Sequence, residues 1–181
     1  MIYTTHYPSP LGDILLAAKD NKLIGLWIEG QKYYLANLKE EITEDDSAPV
    51  LIQTKDWLDR YFNGKKPEPA ELPLAPIGSD FRQQVWQILK TIPYGETTTY
   101  KQIAEQIAKQ RGTKQMSAQA VGGAVGHNPI SIIIPCHRVL GSDGSLTGYA
   151  GGLDKKTFLL NHERACYNKT IAGGKCPIIT N

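Results

Sequence analysis

Four prolines, Pro67, Pro69, Pro73 and Pro76, fall within the stretch Asn63 to Gly78, where Gly and Lys also recur. A proline ring removes a backbone donor and clashes with the preceding helical turn, so this stretch suits neither a helix interior nor a central strand. It reads as an extended linker. The reading divides the chain into residues 1–78, residues 79–166 and a tail at 167–181. At 181 residues, 41% of them hydrophobic, the chain can supply the core of one ordinary domain or of two small ones.

Upstream of the linker, two alternating runs, Ile2 to Tyr7 and Asp13 to Ala18, are joined by Pro8-Ser9-Pro10-Leu11-Gly12. A third, Leu23 to Ile28, follows Asp20-Asn21. Period-two alternation between turn residues predicts an antiparallel meander. Tyr33 to Ile42 reads as a loose helix. Val50 to Phe62 reads as a second, with Leu51, Ile52, Lys55, Leu58, Tyr61 and Phe62 near helical spacing.

Downstream, Ser79 can cap a helix that Asp80 suits electrostatically and that Phe81, Val85, Ile88 and Leu89 line, with Pro93-Tyr94-Gly95 as its stop. A second helix starts near Thr99, where Thr99-x-x-Gln102 resembles a capping box, and ends at Gly112. A third starts near Ser117 and ends before Pro129. Its Ala118, Ala120, Gly122, Gly123 and Ala124 allow another backbone, or a duplex, to come close. The pair is either a helix-turn-helix or two ordinary core helices, because Lys109 to Met116 is a long connection for the motif. After the apolar run Ile130 to Ile134 and a turn at Gly141-Ser142-Asp143-Gly144, a last helix is predicted over Leu153 to Cys166. It turns Phe158, Leu159 and Leu160 inward and carries Glu163 near its end. The fold class is α+β: a small N-terminal antiparallel sheet with helix, then a mainly helical C-terminal domain.

The net charge of +2 is too small to imply nucleic acid, but it is unevenly spread. Residues 1–78 hold 8 Lys/Arg against 12 Asp/Glu, giving −4, while 79–181 hold 12 against 6, giving +6. The second part could attract a polyanion. Met1 to Pro10 lacks a charged start followed by an apolar stretch, and no run approaches membrane-spanning length, so a cytoplasmic location is expected, with no membrane partner. Cys136, Cys166 and Cys176 show no Cys-x-x-Cys spacing, which suggests neither a disulfide framework nor a zinc knuckle and fits reduced thiols.

Cys136 stands directly after Pro135 and before His137. It can be an activated nucleophile, a metal ligand or a thiol that only packs. Metal is the weakest of these, since no second clustered pair completes a tetrahedral set. A protease-like Cys/His pair is conceivable, but no protease signature surrounds Cys136.

Around this cysteine stand, in order, Val121-Gly122-Gly123-Ala124, Asn128-Pro129, Ile134-Pro135-Cys136-His137-Arg138-Val139, Gly148-Tyr149-x-Gly151-Gly152 and Leu159-Leu160-x-His162-Glu163. The set closely resembles the methylated-DNA protein-cysteine methyltransferases, also called O6-alkylguanine-DNA alkyltransferases. The resemblance covers roughly Phe81 to Glu163; residues 1–78 match that family's variable N-terminal domain only in size and layout.

The resemblance implies that Cys136 takes an alkyl group from guanine O6, or from O4-alkylthymine, in double-stranded DNA and keeps it, so that each molecule acts once. It implies no cofactor, no metal and action as a monomer. By position, His137 becomes the base that takes the thiol proton through an ordered water, and Glu163 the carboxylate that orients His137. Asn128 becomes the brace between the recognition helix and an active-site strand. Tyr100 becomes the residue that assists nucleotide rotation and protonation of the departing guanine. Tyr149, Ala150 and the backbone near Val139 become the pocket wall, with Arg138 grouped among the substrate and DNA contacts. At the position where the family commonly places an arginine that enters the duplex, this chain has Gln119, and its connection between Tyr100 and Ser117 is longer. No cysteine precedes Cys136, so the zinc that some relatives carry in the N-terminal domain is not expected. Two other functions are weighed. A non-catalytic module that binds alkylated DNA would lack the nucleophile, and a helix-turn-helix regulator would need base-reading side chains where the third helix offers mostly Ala, Gly and Val.

Overall fold

The computed structural model describes residues 1–36 and 38–171, with side chains as far as 164. Strands β1 (Ile2–Ser9), β2 (Gly12–Lys19) and β3 (Lys22–Ile28) form the expected antiparallel meander. The first hairpin is tighter than the proline-rich turn suggested, with Ser9 opposite Gly12, whose φ of +100° favours glycine.

The helix expected over Tyr33 to Ile42 is absent from the described residues there. Tyr33 and Leu35 adopt left-handed φ values of 58° and 55°, and the segment turns back on itself before β4 (Ile42–Glu44), which pairs parallel with β1. The apolar residues that suggested a helix serve the sheet instead. Leu35 and Leu38 cover its outer face over Ile2, Leu15, Ala17, Ile24 and Trp27. Sheet order is β3-β2-β1-β4.

Helix α1 (Pro49–Phe62) begins with proline at its first position, where no donor is lost, and buries Leu51, Leu58 and Tyr61. The linker is not a free spacer. It contains a 3₁₀ turn at Pro69–Glu71 and lies along β3, where Leu23 N–H donates to Pro73 O at 2.8 Å and Ala75 N–H to Leu23 O at 2.8 Å. A proline has a carbonyl to offer a ladder even though it lacks the donor.

Helix α2 (Asp80–Leu89) is capped by Ser79. After the short β5 (Thr98–Thr99), α3 (Tyr100–Arg111) starts on the Thr99/Gln102 capping box and ends at Gly112 with φ +65°; α4 (Ala118–Gly126) is capped by Ser117. Helices α3 and α4 pack together as the helix-turn-helix. The apolar run after α4 is no regular strand. It makes turns, with Ile132 at φ +70°, then a 3₁₀ turn at Cys136–Arg138 and β6 (Val139–Leu140), which pairs with β5. Helix α5 (Leu153–Ile171) runs past the expected end at Cys166, so Glu163 lies in its interior. The side chain of Cys166 and all of Cys176 fall outside the described residues, as does 172–181 of the expected tail.

One core runs through both parts of the chain: Leu16, Leu26 and Leu58 share a cluster with Val85, Ile103, Val121, Ile134 and Leu159. Trp86 ties α2 to α4 within it, 1% exposed, its Nε1 donating to Ala124 O at 2.9 Å. Trp86→Phe removes that donor and leaves a void, and is expected to cost about 2–4 kcal/mol. Urea unfolding with an unchanged m-value checks this; a loss below about 0.5 kcal/mol would mean that the site collapses and the carbonyl is re-satisfied.

Candidate active site

The approach to Cys136 is fixed by a buried asparagine. Asn128 Nδ2 donates to Ile134 O at 2.8 Å and Ile130 O at 3.3 Å, and its Oδ1 accepts from Ile130 N–H at 3.0 Å. The same segment is stapled to β3, where Leu26 N–H donates to Pro129 O at 2.8 Å and Ser131 N–H to Leu26 O at 3.1 Å. These bonds hold Ile132 in a conformation that a β-branched residue rarely adopts. Cys136 emerges from this bend only 4% exposed. Burial pushes its thiol up, against the Asn128 side chain and the positive charge of Lys156, which favour the thiolate.

Next along the 3₁₀ turn, His137 is fully buried and its Nε2 lies 2.6 Å from Glu163 Oε1. A carboxylate can only accept, so Nε2 carries the proton and Nδ1, which meets no hydrogen-bond partner among the described residues, is the acceptor. Burial pushes the imidazole pKa down while Glu163 pulls it up, and the balance keeps the ring neutral. Glu163 also accepts from Arg138 Nη2 and Nε, both at 2.9 Å, from Tyr61 Oη at 2.7 Å and from Gly95 N–H at 3.3 Å. Burial alone would raise its pKa. The His137 and Arg138 partners outweigh burial and hold it well below the usual carboxylate range.

Beside these groups opens a cavity of about 510 Å³, bounded by Tyr100, Gly122, Gly123, Tyr149 and Ala150, with Gln119 and Tyr33 on its lining. Tyr100 Oη lies 3.0 Å from Thr147 O and 3.1 Å from Gly148 O. Burial, and then the nearby Cys136 charge, push its phenol up to about 12, and the same two causes raise Tyr149. Lys156 lies beneath this wall, 0% exposed, donating to Val139 O at 2.5 Å and Thr147 O at 3.0 Å.

The chain that holds this buried thiol, with its neutral histidine leaning on a carboxylate, matches known proteins over nearly its whole length. Residues 80–165 fit the family described as 6-O-methylguanine DNA methyltransferase, DNA binding domain, and residues 2–76 fit its ribonuclease-like domain. The chain belongs to that family. The methylated-DNA protein-cysteine methyltransferase of Haemophilus influenzae is 42% identical over 166 residues, 92% of this chain and 88% of that protein. The one from Methanosarcina barkeri is 48% identical over 158 residues, 86% of this chain and 92% of that protein. Among solved structures, Mycobacterium tuberculosis OGT in complex with DNA is 40% identical with a TM-score of 0.76, covering 91% of this chain and 93% of that one.

Within this methyltransferase fold, Cys136, His137, Glu163 and Asn128 come together as a buried cluster, and Tyr100, Gln119, Tyr149 and Ala150 line the cavity. Asn128 braces the bend at 130–134, where no strand forms. Arg138 lies elsewhere than expected. Its guanidinium is turned inward onto Glu163 and Ile92 O, so it holds the carboxylate and is not available to touch DNA. Three residues went unnoticed in the sequence: Lys156, Tyr61 and Tyr33. Lys156 left a signal, since it precedes Leu159 by three and Glu163 by seven and so lies on the buried face of α5. Tyr33, whose ring stacks on His127 at 3.9 Å, left none. Among the described residues no group of three or more His, Cys, Asp or Glu is placed to hold a metal, and no helix is long and apolar enough to cross a membrane.

Arg138→Met strands the Glu163 charge with fewer donors and is expected to cost about 3–5 kcal/mol at neutral pH. A carboxylate whose pKa is lowered in the folded state contributes stability above its unfolded pKa and loses it as pH falls towards the folded value. The deficit of Arg138→Met therefore narrows below about pH 4, where the unfolded carboxylate is protonated. Urea titrations across pH test this, and a deficit that is constant with pH would show that Arg138 acts by packing alone.

Proposed function

We propose that Cys136 accepts the alkyl group from O6 of an alkylated guanine in double-stranded DNA and keeps it, so that each molecule repairs one lesion. Transfer of an alkyl group from DNA to a protein cysteine is the activity of this family, and the buried Cys136 thiol, near the Tyr100 and Tyr149 side chains that line the cavity, carries its assignment here. The thiol proton passes to His137 Nδ1 through a water. The sulfur then bonds to the alkyl carbon, the bond from that carbon to O6 breaks, and the guanine takes up a proton with the help of Tyr100. Because burial disfavours a standing thiolate, proton withdrawal has to accompany the approach of substrate. Glu163 keeps His137 in the tautomer that can accept.

The damaged nucleotide must leave the stack to reach a thiol this deeply placed, at a cost of a few kcal/mol. The small residues of α4 suit close approach to a groove, and Gln119, exposed at the second position of that helix, suits the space that the base vacates. Affinity in this reading comes from phosphate contacts more than from base reading. We read the chain as a monomer working in a reducing compartment, which the free Cys136 supports. A non-catalytic binding module is disfavoured by the intact nucleophile.

Incubation with an oligonucleotide containing O6-methylguanine is expected to add one methyl to Cys136, stoichiometrically and without turnover, while Cys136→Ser binds DNA and accepts nothing. Intact-protein mass spectrometry with peptide mapping reads this. Label on Cys166 or Cys176, or product in large excess over protein, would overturn the assignment.

Gln119→Arg is expected to tighten duplex binding, to steepen the dependence of log affinity on log salt by roughly one unit and to speed repair in duplexes. Reaction with a free alkylguanine base should barely change, because no stack has to be held open. Equal effects on free base and duplex would move Gln119 from the stack into the pocket or the fold.

A further inference from the structure

Glu163 Oε1 is shared by three donors: His137 Nε2 at 2.6 Å, Arg138 Nη2 at 2.9 Å and Tyr61 Oη at 2.7 Å. Two of them neighbour the thiol in sequence. The third comes from α1, 102 residues away from Glu163. Tyr61 is 0% exposed, and its ring is held on every side: it stacks on Trp57 at 5.5 Å, meets Phe62 and Tyr94 edge-on at 5.2 and 5.8 Å, and its carbonyl lies 3.0 Å from His162 Nε2. The phenol is thereby held in one orientation, with its proton on Glu163 Oε1.

We propose that Tyr61 is a positioning residue of the alkyl-transfer relay, whose O–H shares Glu163 Oε1 with His137 and so sets how strongly the carboxylate draws on the imidazole. The proposal rests on the relay assigned above. Three donors on one oxygen compete for the same electron density, so taking one away makes the oxygen a better acceptor for those that remain. Without the phenol, Glu163 favours the imidazolium more, the proton moves more readily from Cys136 to His137, and more thiolate is present at neutral pH. The other charged or titratable groups around His137 and Tyr61 are Arg138 on the 3₁₀ turn, Lys156 and His162 on α5, Tyr94 after α2 and Cys136 itself. Of these, Arg138 shares Glu163 Oε1 and feels the change with His137.

The test is the pH dependence of single-turnover reaction with a free benzylated guanine, which removes DNA binding from the readout. Tyr61→Phe keeps the ring and is expected to move the rate profile to lower pH, by roughly half a unit or more. Glu163→Gln and His137→Phe are expected to move it to higher pH. A 3-fluorotyrosine at position 61, whose more acidic O–H donates more strongly in the same volume, moves it upward too and covers the case in which Tyr61→Phe does not fold. The opposite signs separate the two ideas. If Glu163→Gln and His137→Phe leave the profile where it was, the relay itself is wrong. If they move it, while Tyr61→Phe and the fluorinated protein shift nothing or shift it the same way as each other, Tyr61 only packs. A Tyr61→Phe protein that loses stability with an unchanged profile overturns the proposal in the same way.

Discussion

A carboxylate out of reach of water has to have its acceptor sites filled, and Glu163, 1% exposed, fills them from three separate segments. Tyr61 comes from α1, Gly95 from the turn after α2, and His137 and Arg138 from the 3₁₀ turn that carries Cys136, while Glu163 itself stands on α5. Each donor points at the same two oxygens, so the relative placement of these segments is fixed by one side chain. Buried ionic networks of this kind contribute little net stability compared with an apolar replacement, because desolvation offsets the attraction. What the network supplies is position: the histidine beside the thiol has one tautomer and one orientation.

That positioning answers a difficulty created by the thiol's own surroundings. Burial excludes water from Cys136 and raises its pKa, which protects the sulfur and also makes it a poorer nucleophile at rest. Asn128 and Lys156 act in the opposite direction, and both are held by backbone carbonyls, Asn128 at Ile130 and Ile134, Lys156 at Val139 and Thr147. The groups that assist ionisation are therefore the same groups that hold the loops on either side of the cysteine in place. A change in either loop reaches the chemistry without touching a reacting atom.

Local signals carried much of this in the sequence. The caps at Ser79, Thr99 and Ser117 follow from hydrogen bonding within a few residues, and the order of motifs from Val121 to Glu163 points to the family. The failures were of two kinds. Tyr33 to Ile42 lacks helix-breaking residues, so its apolar spacing suggested a helix, but its leucines were needed on the outer face of the sheet and tertiary packing decided the backbone. Arg138 and Lys156 are charged residues that a one-dimensional reading sends to solvent or to phosphate. Their burial becomes sensible only once the acceptors that satisfy them, a carboxylate and three backbone carbonyls, are known to converge on them. Partners a hundred residues apart, such as Tyr61 and Glu163, leave no mark on local periodicity.

The same contacts explain why the N-terminal sheet and helix are more than a support. Leu26 on β3 bonds to Pro129 and Ser131 on the approach to the cysteine. Lys32 N–H donates to Ala150 O on the pocket loop at 2.9 Å, and Lys155 Nζ reaches Glu29 O at 2.8 Å just beyond it. With Tyr61 on Glu163, the first 62 residues thus meet the approach segment, the pocket wall and the relay. Apart from the exposed Lys155 bond, these are backbone bonds or a buried phenol contact, which tolerate little displacement before they are lost. Residues 80–165 carry the groups to which the proposed chemistry is assigned, but the arrangement of those groups is imposed in part by surfaces that lie outside that range.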